Sequence, residues 1–568
     1  MLSASRSYEE ARRSFVWRIP ARINAAVEAI DRHCGAAADA DRTILAAPGA
    51  DGRMAHASFR TLKRDSDRLA GALAALMVEP GSRVATVLPL GFPAALTALA
   101  TLKAGGVVAP MAESWPDGIL AAAIAEAAPR VVVTGTRRLA AVKAATAALE
   151  QPAAVLAVGT GEDGAADFQS LLDGAPERPL RVETGADDPA FLVFSQGRTG
   201  PMKGIVHAHR ALLAARTALE MVFEDCPQTG DRLWCGLSPG HPFGLILGLF
   251  APWALGIPVV ATGGEGRAGA EEAFAAFAEE GVRRILVSPA GAAMLMRRPT
   301  PRLADRLPVR SAAVAGGRLP EAAERWWVKT FGFRPGRLYG EAETGAVAAT
   351  RPAWFADSGF PALGRAVPGV GLDVVNREGE VLAPGTPGHL AVRLPFPGLF
   401  LDYARRDSLT RGAAAQKFAG SRFLTGDLAV ADDTGDLTFV AKADDVLPDV
   451  RAGFLPDAAE ASLSAHPLVR SAALVALPDA AGRPEIVACV VPARGMRPGD
   501  AKAEAQAAAE ILAHAARTLA PVARPRRIVF VAEIPMTDEG RPHRAAIRER
   551  IEKTKPTGTG VSSEAPPG

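Results

Sequence analysis

Apolar and polar positions alternate along this chain in the rhythm of strand, helix, strand. From about residue 43, short apolar runs follow amphipathic or buried stretches in turn. Arg83 to Leu88 reads as a strand and Phe92 to Lys103 as a buried helix. Val107 to Pro110 is a second strand, Ile119 to Ala127 a helix, and Arg130 to Val133 a third strand. Strands alternating with helices predict a parallel, doubly wound sheet. A polar stretch, Gly159 to Asp167, is expected to be a loop. A second α/β stretch opens near 195, with further strands at Arg284 to Val287 and Ser311 to Ala315. Residues 1–30 read as amphipathic and helical, a lead-in to the first sheet.

After about 360 the pattern changes. Gly371 to Asn376 and His389 to Arg393 are short strands separated by the turns Pro384-Gly385 and Pro387-Gly388, which predicts a small β-rich subdomain. The aspartate-rich stretch Asp432 to Asp445 marks a boundary. Beyond it an α+β unit is expected, with helices at 457–465 and 502–519 and strands at 469–476, 485–491 and 527–531. The tail from Lys553, rich in Pro, Gly, Ser and Thr, is expected to be disordered. The fold class is therefore α/β: a large N-terminal domain of two doubly wound sheets plus a β subdomain, then a small mobile α+β domain. The expected divisions are 1–441, 442–551 and a tail at 552–568.

Composition narrows the classes. The chain has 568 residues, 48% hydrophobic and 22% charged, which suits a globular protein with a large core. A net charge of +2 without a dominant basic tract gives no reason to expect nucleic acid. The four cysteines, Cys34, Cys226, Cys235 and Cys489, lack metal spacing and fit a reduced cytoplasmic protein. Arg6, Glu9, Glu10, Arg12 and Arg13 precede any apolar run, so no signal peptide is expected. Pro242 to Ala261 is uncharged and long enough to span a bilayer, yet Pro242, Pro252 and Pro258 interrupt it. It reads as a buried helix–turn–strand instead, so no membrane span is expected.

Candidate chemistry begins at Phe194-Ser195-Gln196-Gly197-Arg198-Thr199-Gly200-Pro201-Met202-Lys203-Gly204. This glycine-rich stretch follows the apolar strand Ala190 to Phe194 and precedes Ile205 to Leu213, which reads as a turn running into a helix. Such a loop can turn backbone N–H groups onto an anion, with Lys203 adding charge and Thr199 a hydroxyl. A polyphosphate is the natural guest, and a plain surface loop is the other reading. The Walker ending Gly-Lys-Ser/Thr is absent.

Six further blocks follow in order: Ala315-Gly316-Gly317-Arg318-Leu319; Tyr339-Gly340-Glu341-Ala342-Glu343; Gly364-Arg365-Ala366-Val367-Pro368-Gly369; Thr425-Gly426-Asp427; Lys442-Ala443-Asp444-Asp445; and Pro535-Met536-Thr537-Asp538-Glu539-Gly540-Arg541. With these in order, residues 8–550 resemble the adenylate-forming superfamily of acyl-CoA synthetases, adenylation domains and luciferases. The likeness is greatest to the acetyl- and medium-chain acyl-CoA synthetase branch. The resemblance implies that Ser195, Gly197, Arg198, Thr199, Gly200 and Lys203 lie along the nucleotide's phosphates. It implies Gly316, Gly317 and Arg318 beside adenine, with Tyr339, Gly340, Glu341 and Ala342 lining the nucleotide. Glu343 would hold magnesium, Asp427 the ribose hydroxyls, and Lys442 would stand near the ribose. Asp444 would be the interdomain hinge. Arg541 stands where the family has its catalytic lysine. His241, Phe243 and Gly244 lie where the family builds its acyl pocket. The implied reaction uses ATP, Mg2+ and CoA. A carboxylic acid becomes an acyl-adenylate with release of pyrophosphate, and CoA then takes the acyl group.

The chain departs from the family at the nucleotide. Gln196 and Arg198 replace hydroxyl residues, Pro201-Met202 alters the approach to Lys203, and Ala342 replaces a threonine. Lys442 replaces an arginine, Val450-Arg451-Ala452-Gly453 replaces Ser-Gly-His-Arg, and Arg541 replaces a lysine. Two function classes follow. One is an ATP-dependent acyl-CoA synthetase for a short- or medium-chain acid. The other is a catalytically impaired homologue that binds a nucleotide, an acyl ligand or a partner without turnover. Each assigned residue also has a plainer reading: a surface carboxylate for Glu343 and Asp427, a core aromatic for Tyr339, core packing for His241 and Phe243, and a solvated cation for Lys203 and Arg541. His207 and His209 follow the glycine-rich loop without an assigned role.

Overall fold

Two sheets carry the large N-terminal part of the chain. The structure, a computed structural model, describes residues 5, 7–49, 51–159, 165–176, 182–195, 202–263, 266–297, 307–355, 362–404, 417–443, 456–479, 484–493, 501–519, 521–536 and 542–553. In the first sheet Ala166–Asp167, Ala154–Val158, Val131–Gly135, Arg83–Val87, Val107–Met111 and Pro189–Ser195 lie side by side and parallel. Lys203–Ala208 and Asp402–Ala404 complete it as antiparallel strands. The parallel strands are covered on both faces, so they need continuous apolar runs rather than alternation. Val131, Val132 and Val133 are all fully buried.

The second sheet has a parallel core of Thr43–Pro48, Val259–Val260, Leu233–Gly236, Arg284–Val287, Ser311–Ala315 and Gly336–Glu341. It then turns antiparallel through Gly345–Ala349, Ala362–Ala366, Leu437–Lys442, Arg422–Ala431, Gly388–Arg393 and Gly371–Val375. The β-rich texture after 360 is thus the continuation of the second sheet. Lys442, the first residue of the expected second unit, closes a strand of this sheet.

Helix Phe92–Lys103 is buried on every side from Ala94 onward. Its one ionic residue, Lys103, has a fully buried side chain. Its Nζ reaches Asp67 Oδ1 at 2.6 Å, Ser66 Oγ at 2.8 Å and Asp31 Oδ1 at 2.9 Å. A buried ammonium is tolerated only with partners of this kind. The cluster ties this helix to helix Phe59–Ala75 and to the turn Asp31–Gly35.

The C-terminal unit pairs Val469–Pro478 antiparallel with Pro484–Pro492, which pairs parallel with Arg527–Phe530. Helices Pro456–Ser464, Ala501–Thr518 and Arg544–Lys553 accompany the strands. Glu460 Oε1 accepts from Arg544 Nη1 at 2.5 Å and from the Leu474 N–H at 2.7 Å. That buried pair fixes the start of the last helix. Just before it, Met536 bridges Pro542 and the His543 N–H donates to Pro535 O at 2.7 Å. Both flanks of the segment carrying Arg541 are therefore held together.

Two expectations need correction. Residues 1–30 are not one helix: helices Tyr8–Ser14 and Ala25–Ala29 are separated by non-helical chain. There Trp17 Nε1 donates to Gly369 O at 2.7 Å, and the Phe15 ring lies where a Gly369 side chain would go. Tertiary contact overrides the local periodicity. Ile205 to Leu213 is also not a turn into a helix. Lys203–Ala208 is a strand paired with Pro189–Ser195, and the helix begins at Ala211. The apolar run Ile205-Val206 belongs to that strand, so the glycine-rich stretch joins two antiparallel strands instead of opening a helix. The tail beyond Lys553 lies outside the described residues.

Candidate active site

The turn between Gly336–Glu341 and Gly345–Ala349 is the centre of the site. A Cβ on Gly340 would lie 1.8 Å from Gly345 O, so only glycine permits this crossing. Gly345 itself has φ +64°. The Glu341 N–H donates to Thr344 Oγ1 at 3.1 Å and closes the turn. Tyr339, Glu341, Ala342 and Glu343 are presented from this one support.

Tyr339 and Glu341 meet the second strand pair. Arg422–Ala431 runs antiparallel to Leu437–Lys442 with Asp427 opposite Lys442. Asp427, only 2% exposed, accepts from the Tyr339 hydroxyl at 2.7 Å through Oδ2. Lys442 Nζ lies 2.5 Å from Asp427 Oδ1 and 3.3 Å from Glu341 Oε1. Thr425 holds the Asp427 backbone, accepting its N–H at 3.2 Å while donating to Leu390 O at 2.9 Å. Burial raises the Tyr339 hydroxyl, and the Asp427 charge adds to it, so the phenol stays a donor. Burial pushes the Glu341 carboxyl up to about 8, against the pull of Lys442.

Glu343 faces a different set. Its Oε1 accepts from the Tyr403 hydroxyl at 2.7 Å and from Lys417 Nζ at 3.0 Å. Burial acts to raise this carboxyl, but Lys417 and Tyr403 together outweigh it and hold it below the usual range. Lys203 Nζ stands 5.2 Å over the Tyr403 ring. Neither Tyr403 nor Lys417 was singled out by the sequence. One signal was available: the chain has only three tyrosines, and two of them donate to the carboxylates of this site.

Ala342 points to a third region. Its carbonyl accepts from His207 Nε2 at 2.6 Å. Beside it lies a small pocket, partly open to solvent, lined by Ala342, Thr344, Gly345 and Ala346 at one end. Helix Ala211–Val222 supplies Ala211, Ala214 and Ala215, three small residues on one face. Pro242, Phe243, Ile246 and Leu247 close it opposite, the last two around the π-helical turn Ile246–Phe250. Such turns recur at functional sites.

Of the residues expected at the acyl pocket, Phe243 lines this cavity. His241 lies elsewhere, with its ring 5.7 Å from that of Phe243 and its Nε2 where a Gly316 side chain would go. That close approach, together with φ +82°, is why Gly316 is glycine. Gly244 is structural, since its Cβ would meet Ser238 O at 1.9 Å. Gly317 packs near Pro289, and Arg318 is exposed. Ser195 pairs with Lys203 across the strands that flank the glycine-rich stretch. Gln196, Gly197, Arg198, Thr199, Gly200, Asp444, Val450 to Gly453 and Arg541 lie outside the described residues.

The histidines are structural donors and acceptors. Burial lowers His207, His209 and His241 each to about 4, so they are neutral at pH 7. His209 Nδ1 accepts the Ala25 N–H at 3.0 Å, which fixes the lead-in helix, and only Asp188 pulls its pKa back up. Between pH 6.5 and about 4 the unfolded chain binds protons that the folded chain refuses, so stability falls as pH falls. We expect the urea midpoint of the large domain to drop steadily between pH 7 and 5. In His209→Gln the slope should be shallower by up to about 1.4 kcal/mol per pH unit. An unchanged slope would contradict a neutral buried His209.

Among the described residues no group of three or more His, Cys, Asp and Glu could hold a metal ion. A single ionised carboxylate such as Glu343 nevertheless fits Mg2+, which is commonly bound by one or two carboxylates with substrate phosphates and water. No described helix is long and apolar enough to cross a membrane.

Comparison with known proteins agrees with this architecture. The chain is 27% identical over 558 residues to an acetyl-coenzyme A synthetase of Streptomyces coelicolor, covering 94% of this chain and 85% of that protein. It is 26% identical over 561 residues to an acetyl-coenzyme A synthetase of Bacillus subtilis, covering 96% and 95%. The crystal structure of a Brucella canis acyl-CoA synthetase superposes with a TM-score of 0.70 at 26% identity, over 97% of this chain and 100% of that one. A profile described as AMP-binding enzyme matches residues 33–404, and one described as AMP-binding enzyme C-terminal domain matches 458–541. With more than half its length matched in this way, the chain belongs to the family of AMP-binding enzymes.

Proposed function

We propose that this protein is an ATP-dependent, AMP-forming acyl-CoA synthetase for an apolar, short- or medium-chain monocarboxylic acid. The observation that carries the reading is the position of the cavity. Its end is the Ala342–Gly345 turn, the same turn that bears Glu343 and follows Tyr339. An acid seated there brings its carboxylate to the place where a nucleotide held by Asp427 presents its α-phosphate.

The chain's residues divide the work. Asp427 accepts the ribose hydroxyls, with Tyr339 fixing its carboxylate and Lys442 balancing its charge. Glu343 would hold Mg2+, which when bound would supply positive charge at the phosphates against the repulsion between two anions. Lys203 would add positive charge at the phosphates, and the glycine-rich stretch and Arg541, outside the described residues, are assigned to them by resemblance alone. An acid oxygen attacks the α-phosphorus, the bond to the β-phosphate bridging oxygen breaks, and pyrophosphate leaves. The CoA sulfur then attacks the acyl carbon and AMP leaves. Movement of the C-terminal unit about Asp444 lets one site serve both steps. A cytoplasmic location is the reading that the four free cysteines and the use of ATP and CoA support. A protein that only bound a nucleotide would need Asp427 as well, but not a carboxylate held ionised at Glu343, and the similarity to acetyl- and acyl-CoA synthetases supports the synthetase reading.

The cavity limits the acid. Its described lining contains no Lys or Arg, and His207 and Thr344 are its polar members. A second carboxylate would be buried without a partner, so dicarboxylates are excluded. Ala214→Leu fills the helix side of the cavity, opposite which a Gly398 side chain would already meet Ala214 at 2.9 Å. It should lower kcat/KM for the longest accepted acid by about 10- to 200-fold and leave the shortest within a few fold. A panel of C2 to C10 and aromatic acids, followed by pyrophosphate release, checks this. A uniform loss across the panel would separate the cavity from the acid.

A further inference from the structure

We propose that Lys417 is a positioning residue for the metal-holding carboxylate Glu343, acting together with Tyr403. The inference rests on the reading of Glu343 given above and extends it to residues outside the recognised motifs.

Glu343 is 7% exposed, and a buried carboxylate needs donors that fix both its charge and its plane. Two donors converge on one oxygen: Tyr403 Oη at 2.7 Å and Lys417 Nζ at 3.0 Å, both on Oε1. Neither donor is bonded to Oε2, the oxygen to be given to Mg2+. Tyr403 is itself buried in strand Asp402–Ala404, which is paired to Lys203–Ala208, so its hydroxyl cannot wander. Lys417 lies beside strand Phe418–Ala419, with Nζ 5.4 Å over the Phe423 ring. The aromatic face leaves the ammonium pointing at the carboxylate. The backbone is fixed as well, since the Phe400 N–H donates to Glu343 O at 2.8 Å.

Partners of this kind around metal ligands orient the ligand and tune its affinity, and losing one commonly costs about 10- to 100-fold in metal binding.

The test measures ATP binding by calorimetry across a Mg2+ titration, and Mn2+ binding by electron paramagnetic resonance. The proteins are the full-length chain, Lys417→Met, Lys417→Arg, Tyr403→Phe and Glu343→Gln. Lys417→Met should raise the Mg2+ concentration needed for half-maximal ATP affinity by about 10-fold and leave ATP binding in EDTA unchanged. Tyr403→Phe should shift it in the same direction, and Lys417→Arg should recover most of the loss. A general packing defect would weaken ATP equally with and without metal, and that result would overturn the inference. So would a lower Mg2+ requirement in Lys417→Met, which would mark the ammonium as the metal's competitor. If Glu343→Gln shifts the requirement while Lys417→Met does not, the positioning role fails and the site stands. If Glu343→Gln is also indifferent, the assignment of Glu343 fails with it.

Discussion

Asp427→Ala is expected to weaken ATP binding by at least about 100-fold, because hydrogen bonds to a charged group contribute roughly 1.5–3 kcal/mol each. The carboxylate is buried, cross-strand from Lys442 and hydrogen-bonded to Tyr339. Its loss takes the 2.7 Å acceptor from the Tyr339 hydroxyl, leaves Lys442 with the longer contact to Glu341, and removes the acceptor offered to the ribose. Asp427→Asn keeps the shape and one acceptor oxygen, so its loss should be smaller, about 10-fold. Isothermal titration with ATP measures both, and a thermal melt reports whether the fold has survived. ATP affinity within twofold of the unmutated protein, with the fold intact, would remove Asp427 from the nucleotide site.

Arg541→Ala should separate the two half-reactions. Charge placed on the leaving phosphates acts in adenylation, and removing such a group costs about 100- to 1,000-fold in rate. Thioester formation from a supplied acyl-adenylate releases AMP rather than pyrophosphate, so it lacks the β- and γ-phosphate charge and should stay within a few fold. Arg541→Lys keeps the charge but loses the planar fork, and should retain adenylation within about 10-fold of the unmutated chain. The Met536–Pro542 bridge and the Glu460–Arg544 pair fix both ends of the segment on the C-terminal unit. Pyrophosphate exchange and an assay of CoA thiol consumption read the two half-reactions. Equal rates in Arg541→Ala and the unmutated chain would make Arg541 a solvated loop residue.

The strands were the most legible part of the sequence. Val131-Val132-Val133 and Ala312 to Ala315 are short uninterrupted apolar runs, of the length and residue type that suit a buried parallel strand. The buried helix Phe92–Lys103 was legible for the same reason, whereas its buried Lys103 was not. The partners Asp31 and Asp67 are brought to Lys103 by tertiary packing over 36 residues or more. Residues 15–24 misled because their periodicity is local, while Phe15 and Trp17 are placed by Gly369, more than 350 residues away. Likewise Ile205 to Leu213 contains both a strand and a helix start, and periodicity alone does not divide them.

The site was legible where residues act as contiguous motifs. Tyr339, Glu341 and Glu343 sit on one turn, and Asp427 with Lys442 on one strand pair. Tyr403 and Lys417 were not legible, since they belong to no motif and reach Glu343 from 60 and 74 residues away. Nor was the cavity, whose walls come from Ala211 to Ala215, Pro242 to Leu247 and Ala342 to Ala346 at once. Alanine in an alanine-rich chain carries no signal until the fold sets three of them against empty space.

The central claim is tested most directly by acid-dependent ATP–pyrophosphate exchange with the unmutated protein. The account predicts exchange that requires Mg2+, rises with an apolar monocarboxylic acid and is absent with a dicarboxylate of the same length. Folded protein that binds ATP yet exchanges no pyrophosphate with any acid of the panel would contradict it.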